Sequence, residues 1–511
     1  MKAKSKISLI VFLCLVVTAI LTIASCGGNN ANTAETAAEN PQNSNGGGSV
    51  AEQVKDTAAD SESTSANTGK IGFSVSTEKE NIPADANFGG KDFTILIGDP
   101  NEQVWTYTNM VVEEQTGDTI EDAYYKRNRS IEDRLNINIK QITTPLSSDQ
   151  SKFKKAVDSG DSSFDIALLR YNGAANLATS NYCVALNDVP YLDFTKPWWD
   201  KGSLRDLSIA KRNYLMASDI SIGDNDNTWL IYFDKQMIMD FGLESPYNLV
   251  NNGKWTFDKL LEMMKVAEFD VNGDGKMNKD DRFGFLTHGE NYAGMWIAAN
   301  QTLIAKDAND MPYIAFNTEM FHNVWGKIIE IMNDKSCKAD DIPFISTGLA
   351  NGQTLFATEI LKFVRDYRVN EREFGILPIP KYDENQDGYH TYVAVSAPLL
   401  IIPKSNPALE TTGIIVEAMA AEGHRTILPA YYEVSIKGKF ARDVESIDML
   451  DIAFSTRKYD LGVVFNWGNM NTDLSQKYGP KNEQNIASFV DSREAKIKSE
   501  MEKTFAAFKA N

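Results

Sequence analysis

Cysteine and histidine are both scarce in this chain, with four of each in 511 residues. Cys14 lies inside an N-terminal apolar run and Cys26 closes it, which leaves Cys183 and Cys337 far apart in sequence. Two distant thiols define no disulfide framework. They either pair or stay as two buried thiols, and without a CxxC pair or a Cys/His cluster there is no zinc site. His288, His322, His390 and His424 are scattered, which reads as satisfied core or surface histidine rather than a metal or catalytic centre. GxSxG, HExxH and GxxxxGKS/T are also missing, so motif-marked serine hydrolase, zinc protease and nucleotide-binding chemistries have no support. Basic charge is in deficit: 51 Lys and Arg face 70 acids, for a formal charge of -19. That sign argues against nucleic acid and anionic lipid headgroups as partners.

What is present begins with a leader. Lys2, Lys4 and Lys6 precede an almost wholly apolar run from Ile7 to Ile23, the layout of a secretory signal, with an uncleaved membrane helix as the alternative. The run ends in Ile23, Ala24, Ser25 and Cys26, which resembles the bacterial lipobox, where the cysteine thiol carries a diacylglycerol. The resemblance implies a leader over 1–25, a lipid anchor at Cys26 and an extracytoplasmic address at the membrane surface. Acyl chains on one cysteine would hold the chain there, since each buried methylene adds about 0.8 kcal/mol of membrane affinity. From Gly27 to about Lys70 there is hardly an apolar side chain, too few to offset the entropy of ordering. A polar tether over 26–90 is expected, about 60 residues of coil with a reach of roughly 45 Å.

About 420 residues remain, more than one hydrophobic core usually serves, so two lobes are expected. Phe93 to Ile97 reads as a buried strand. Ile120, Ala123, Tyr124, Ile131 and Leu135 form one face of a helix, with Asp118 or Thr119 to cap it and with Arg127, Arg129, Glu132 and Asp133 largely off that face. Ile137 to Ile142, a helix near Ser151 to Asp158, and Phe164 to Leu169 complete strand, helix, strand, helix, strand. That order predicts a parallel sheet with crossovers and an α/β first lobe. A second α/β series starts at Trp229, and the chain closes on an amphipathic helix from about Asn485 to Lys509, with Ile486, Phe489, Ile497, Met501 and Phe505 on one face.

Five stretches, Asp165 to Asn172 (DIALLRYN), Lys196 to Asp200 (KPWWD), Trp229 to Lys235 (WLIYFDK), Gly253 to Leu260 (GKWTFDKL) and Phe374 to Tyr382 (FGILPIPKY), together resemble the family 1 extracellular solute-binding proteins of ABC importers. The resemblance implies a periplasmic-binding-protein-like (type II) α/β fold with hinge-linked lobes across 91–511. Lobe 1 would take about 91–220 plus part of 345–400, and lobe 2 about 229–345 plus 403–511. It also implies capture rather than chemistry: a solute, with carbohydrate the leading choice, is held in the cleft and passed to a membrane permease. Glu290 to Trp296 (ENYAGMW) resembles the segment that offers an acid and aromatics to sugar in maltodextrin-type relatives, and nominates Glu290, Tyr292 and Trp296. Trp467, in FNWG, resembles a late cleft aromatic. Arg170 and Tyr171 end a predicted parallel strand, where ligands of open α/β sheets bind. Trp229 and Trp255 read as core. A secreted carbohydrate-active enzyme or a surface scaffold are the alternatives; the first needs an acid pair across a cleft.

Asp270 to Asp281 (DVNGDGKMNKDD) matches the calcium-loop pattern D-x-N-x-D-G. Side chains of Asp270, Asn272, Asp274 and Asn278, the carbonyl of Lys276 and an acid at position twelve, Asp281, suit one hard cation, with Gly275 making the sharp turn. Position twelve is Asp rather than Glu, as in dockerin loops, and the exit from Arg282 reads as a strand. A structural calcium ion near the cleft wall is the expectation, with a solvated turn as its alternative.

Overall fold

The computed structural model describes residues 75–103, 105–340, 342–363, 372–437 and 444–509. The leader, Cys26 and most of the expected tether lie outside the described residues. Among the described residues, no helix is long and apolar enough to cross a membrane.

The first sheet grows from the apolar strand β1 (Lys91–Gly98), whose core face is Phe93, Ile95 and Ile97. It pairs in parallel with β2 (Ile137–Thr144), Lys91 opposite Ile137, and with β3 (Ile166–Arg170), Ile95 opposite Ile166. The crossover helix α1 (Thr119–Leu135) starts where the Asp118 carboxylate accepts the Ile120 and Glu121 N–H groups at 2.9 and 3.0 Å, and stops at Asn136 in the left-handed region. Its apolar face is buried as the periodicity predicts, and of the charged residues expected largely off that face Glu132 is buried with it. Arg127 is buried too, its guanidinium donating to the Ile220 carbonyl at 2.7 Å and the Asn128 side chain at 2.8 Å. A long side chain can cross an apolar face when its donors find fixed acceptors.

The fourth strand of this sheet comes from far along the chain. Pro398–Ile401 lies antiparallel to β3, with Leu399 opposite Leu169. It delivers the following helix, Leu409–Lys437, onto α1, so this helix belongs with the first sheet and not with the second lobe expected for 403–511. Close packing fixes it there. A Cβ on Gly413 would fall 1.9 Å from the Pro190 carbonyl oxygen, and one on Gly423 1.9 Å from that of Asp219. Residues 75–90, expected as tether, also lie against this lobe. Glu80 pairs with Arg134 and Arg425, Lys196 with Glu78 at 3.0 Å, and the Ser76 N–H donates to His424 at 3.3 Å.

The second sheet is mixed. Its order is Phe374–Leu377, β4 (Trp229–Asp234), Thr354–Ile360, β5 (Phe283–Thr287) and Cys337–Ala339. Behind it the helix Asn291–Ala298 is buried along its whole length. Tyr292 and Trp296, four residues apart, share a face that packs on Trp325 at ring distances of 5.8 and 6.4 Å, and Trp296 also meets Phe321 at 6.3 Å. The C-terminal helix, Ala487–Lys509, buries Phe489, Ile497, Met501 and Phe508. It covers Trp467, which stacks on Phe465 at 4.7 Å and donates its indole N–H to Thr504 at 3.0 Å. Cys183 and Cys337 are buried and unpaired.

These packings predict that Trp296→Ala and Trp467→Ala each destabilise the fold by about 3–5 kcal/mol, the range for deleting a buried aromatic. Urea unfolding measures it, and a midpoint equal to wild type would contradict the core placement of either residue.

Candidate functional site

Among the described residues, 223–229 lead from the first sheet into β4 and 392–398 return to the first sheet, while a third segment, 360–362, leaves Thr354–Ile360 beside them before the chain rejoins the second sheet at Phe374–Leu377; the three are laced to one another. The Leu361 N–H donates to Thr228 O at 2.9 Å and the Ala394 N–H to Asn227 O at 2.9 Å. Asn227, wholly buried, donates from its amide to Gly223 O at 2.7 Å and accepts from the Ser396 hydroxyl at 2.5 Å. Beneath them Arg457 donates to Asp224 at 2.7 Å and Asn225 at 2.8 Å, and pairs with Asp200 at 3.3 Å. Burial drives the Asp224 pKa up while Arg457 pulls it down.

Around this lacing the C-terminal ends of the parallel strands of both sheets converge, the position where open α/β sheets take ligands. From the first sheet, Arg170 ends β3, and its backbone N–H donates to the Tyr107 hydroxyl at 3.1 Å. Lys362 bridges the lobes: its ammonium donates to the Tyr107 carbonyl at 3.2 Å and lies 3.7 Å from the Asp226 carboxylate. From the second sheet, Trp229 stacks between His288 and Tyr392, each at a ring distance of 6.3 Å. Glu290, just past β5, accepts the Tyr392 O–H at 2.6 Å and the Val395 N–H at 3.1 Å.

Several polar atoms at this junction are buried without a hydrogen-bond partner: both amide atoms of Gln103, the Thr106 hydroxyl, the Trp229 indole N–H and one carboxyl oxygen of Glu359. Such groups are rare in a folded interior, since each forfeits its hydration. Their hydrogen-bonding capacity is not filled by the chain itself. Glu359 is 1 % exposed; burial foremost, with the Glu290 charge adding, pushes its pKa up to about 8.

Of the residues nominated from sequence, Arg170, Tyr171 and Glu290 lie at the junction. Tyr171 is buried, with its ring 5.7 Å from Tyr459 and its hydroxyl pKa raised by burial and by Asp200 and Asp224. Tyr292, Trp296 and Trp467 lie away from it in the interior packing described above. Trp229, read from sequence as core, is buried but brings its indole to the junction. Gln103, Thr106, Lys362, Tyr392 and Glu359 were not nominated. Glu359 carried a signal, as the one acid in the otherwise uncharged run TLFATEI, and a charge in a buried strand needs a reason.

The loop of Asp270 to Asp281 keeps the turn its sequence predicts, with Gly275 in the left-handed region at φ 79°. Both carboxylate oxygens of Asp270 accept backbone N–H groups, from Gly273 and Gly275, each at 2.7 Å. Buried Asp281 accepts from Val271 at 3.0 Å and Asn278 at 2.7 Å. Asn272 and Asp274 close short turns onto Asp274 and Lys276, and the Asn278 side-chain oxygen accepts from Asp280. Among the described residues, no three His, Cys, Asp or Glu side chains converge on one point. The donors are hard oxygens with lone pairs to spare, chemically suited to a hard cation, but backbone amides hold them in the shape seen.

No protein-family model matches the sequence, and no curated protein matches it. Solved structures do resemble the fold. The ABC substrate-binding protein Lmo0181 from Listeria monocytogenes, in complex with cycloalternan, is similar with TM-score 0.53 and 10% identity, over 81% of this chain and 99% of that one. The sugar-binding protein MalE from Xanthomonas citri gives TM-score 0.53 and 14% identity, over 82% and 98%. The cyclic alpha-maltosyl-1,6-maltose binding protein from Arthrobacter globiformis gives 0.52 and 14%, over 83% and 100%. The chain thus has the two-lobe periplasmic-binding-protein-like fold, with its junction of crossing segments at the ligand position of open α/β sheets.

Proposed function

We propose that this protein captures a carbohydrate at the junction between its lobes and delivers it to an ABC permease in the membrane, without chemical change. The observation that carries this reading is the unpartnered Trp229 indole N–H and Glu359 carboxyl oxygen with the Trp229 and Tyr392 rings, together with unpartnered Gln103 and Thr106 in the first-lobe segment whose Tyr107 carbonyl Lys362 reaches. Pyranose rings present apolar C–H faces for aromatic contact and hydroxyl rims for neutral hydrogen bonds, the two chemistries this junction offers. Proteins of the same fold that bind saccharides, the cycloalternan-bound Lmo0181 and the cyclic alpha-maltosyl-1,6-maltose binding protein among them, support it. So does the acidic sequence, which suits neither nucleic acid nor an anionic surface.

An extracytoplasmic, lipid-anchored placement through Cys26 completes the proposal. It is supported by the lipobox-like Ile23 to Cys26 and by the polar stretch that follows. A calcium ion in the Asp270 to Asp281 loop, held by Asp270, Asn272, Asp274, the Lys276 carbonyl, Asn278 and Asp281, is the second proposed component. Its support is the donor set and the preserved glycine turn, and its role would be to brace the entry to β5.

Three measurements test these readings. Saccharides such as maltotetraose or xylotetraose should raise the melting temperature of the mature protein without releasing new reducing ends. Stabilisation by amino acids or peptides only would redirect the function, and product release would mean hydrolysis by acids such as Glu290 and Glu359. Full-length protein made in a bacterial host should partition into the detergent phase of Triton X-114, and Cys26→Ser should move it to the aqueous phase; an unchanged partition removes the anchor. Calcium added to chelator-treated protein should raise its melting temperature, and Asp281→Ala should abolish the rise; no rise in wild type removes the ion.

A further inference from the structure

Glu359 differs from the other buried acids in how little holds it. Glu417, buried under Trp198 and Trp199, accepts three donors: the two indole N–H groups at 3.0 and 3.1 Å and the Asp193 N–H at 3.2 Å. Asp460 accepts the N–H groups of Leu303, Ile304 and Gly462. Glu359 has only the Ile360 N–H, at 2.9 Å on one oxygen, and its other oxygen has no partner. It stands next to last in the strand Thr354–Ile360, in register with Leu230 of β4. Three residues later Lys362 reaches the first lobe.

An ionised carboxylate here would keep one oxygen unsolvated and unpaired, with the Glu290 carboxylate nearby, both of which raise the free energy of the charged form. A protonated carboxyl has a different need. It carries a single O–H that must find an acceptor, and the oxygen that would carry it receives no donor from the chain. We propose that Glu359 is a specificity residue of the junction: held as an uncharged acid, it donates its O–H to an oxygen of the bound solute and so selects a neutral, hydroxyl-bearing ligand over an anionic one. This rests on reading the junction as a saccharide site. The elevated pKa of about 8 agrees with an acid kept neutral at physiological pH. Glu290 is the titratable group whose charge bears on it. Asp226, Lys362, Arg170, His288 beside Trp229, Tyr392 on Glu290, the Asp224–Arg457 pair and, on the first-lobe side, Asp149 are other ionisable groups around the junction.

The sign of the pH dependence follows. A carboxyl whose folded pKa is raised contributes stability that is fully present below its ordinary value near 4.5 and is lost as pH rises through about 8. Solute that needs the protonated form should likewise bind more weakly above that pH.

The test uses the mature chain as wild type, Glu359→Gln and Glu359→Ala, with maltotetraose and xylotetraose titrated calorimetrically from pH 6 to pH 9.5. For wild type, the dissociation constant should rise about tenfold between pH 7 and pH 9. Glu359→Gln keeps a donor that does not titrate, so it should bind within a few-fold of wild type at pH 7 and lose that slope. Glu359→Ala should bind weakly at every pH. A Gln variant with the wild-type slope, or an Ala variant that binds as well as wild type, would overturn the proposal. A second arm needs no ligand: urea midpoints should fall from pH 5 to pH 9 more steeply for wild type than for Glu359→Gln, and parallel profiles would overturn the neutral acid. If neither saccharide binds wild type while the stability profiles diverge, the saccharide reading has failed and the buried neutral acid stands.

Discussion

The architecture depends on burying at once the two polar crossings, 223–229 and 392–398, and the segment 360–362 that runs beside them. Backbone N–H and C=O groups taken out of water must be paired, and at a junction no regular ladder runs far enough to pair them all. Asn227 solves this locally by tying its own segment to 392–398: its side-chain oxygen accepts from the Ser396 hydroxyl, its side-chain amide donates to the Gly223 carbonyl, and its backbone carbonyl accepts from the Ala394 N–H. Arg457 solves it more widely. Its guanidinium ties Asp200 of the first lobe to Asp224 and Asn225 at the entrance of the first crossing. A planar fork of fixed donors suits such convergence better than an ammonium would, since it holds several acceptors in set directions. Without that pairing, Asp200, Asp219 and Asp224 would be a knot of buried like charges.

The same constraint explains where the open valences are left. Where the chain supplies partners, the polar groups are closed off: Glu417 by two indoles and a backbone N–H, Asn227 by the neighbouring segments. At the strand ends it stops supplying them, and Gln103, Thr106, Trp229 and Glu359 keep free atoms. Leaving a buried polar atom unpaired costs roughly 1–3 kcal/mol, so four residues together are a large standing penalty for a fold to carry. A solute that met those atoms would relieve the penalty on binding, and the lost stability would return as affinity and selectivity.

Much of this was legible in local sequence pattern. The alternation of apolar runs and 3.6-residue periodicity located β1, α1, β2 and β3, and the strand exit from the acidic loop is β5. Periodicity does not say which sheet a distant segment joins, and that is why 403–437 was expected in the wrong lobe: the strand Pro398–Ile401 carries no mark of its antiparallel partner β3. Composition likewise hid the docking of 75–90, because it rests on ion pairs to Arg134 and Arg425 and backbone hydrogen bonds to Leu135 and Asn136, with only Ile82, Ala86 and Phe88 packed on the core. The aromatic side chains failed differently. Tyr292, Trp296 and Trp467 have the right residue type for sugar stacking, but helix phase turned them onto Trp325 and Phe465, whereas Trp229 was turned towards the junction.

The acidic loop and the junction sit at opposite ends of one strand, and this separates their roles. The loop ends at Asp281, and Phe269 pairs with Arg282 across its neck, just before β5 begins at Phe283. The junction residues His288 and Glu290 follow Thr287, where β5 ends. At about 3.3 Å of rise per residue, the five residues of β5 put roughly 16 Å between the two, so the loop is not part of the cleft wall and no ion in it could touch a solute at the junction. What the loop can govern is the register of β5 against Thr354–Ile360, with Phe283 opposite Thr354 and Leu286 opposite Ala357. A slip of one residue would turn every β5 side chain to the other face, and the Thr287 hydroxyl would lose Thr358, 2.6 Å away, next to Glu359 itself. Rigid closure of the loop at one end of the strand and placement of the neutral acid at the other are therefore linked through the register of a single strand pair.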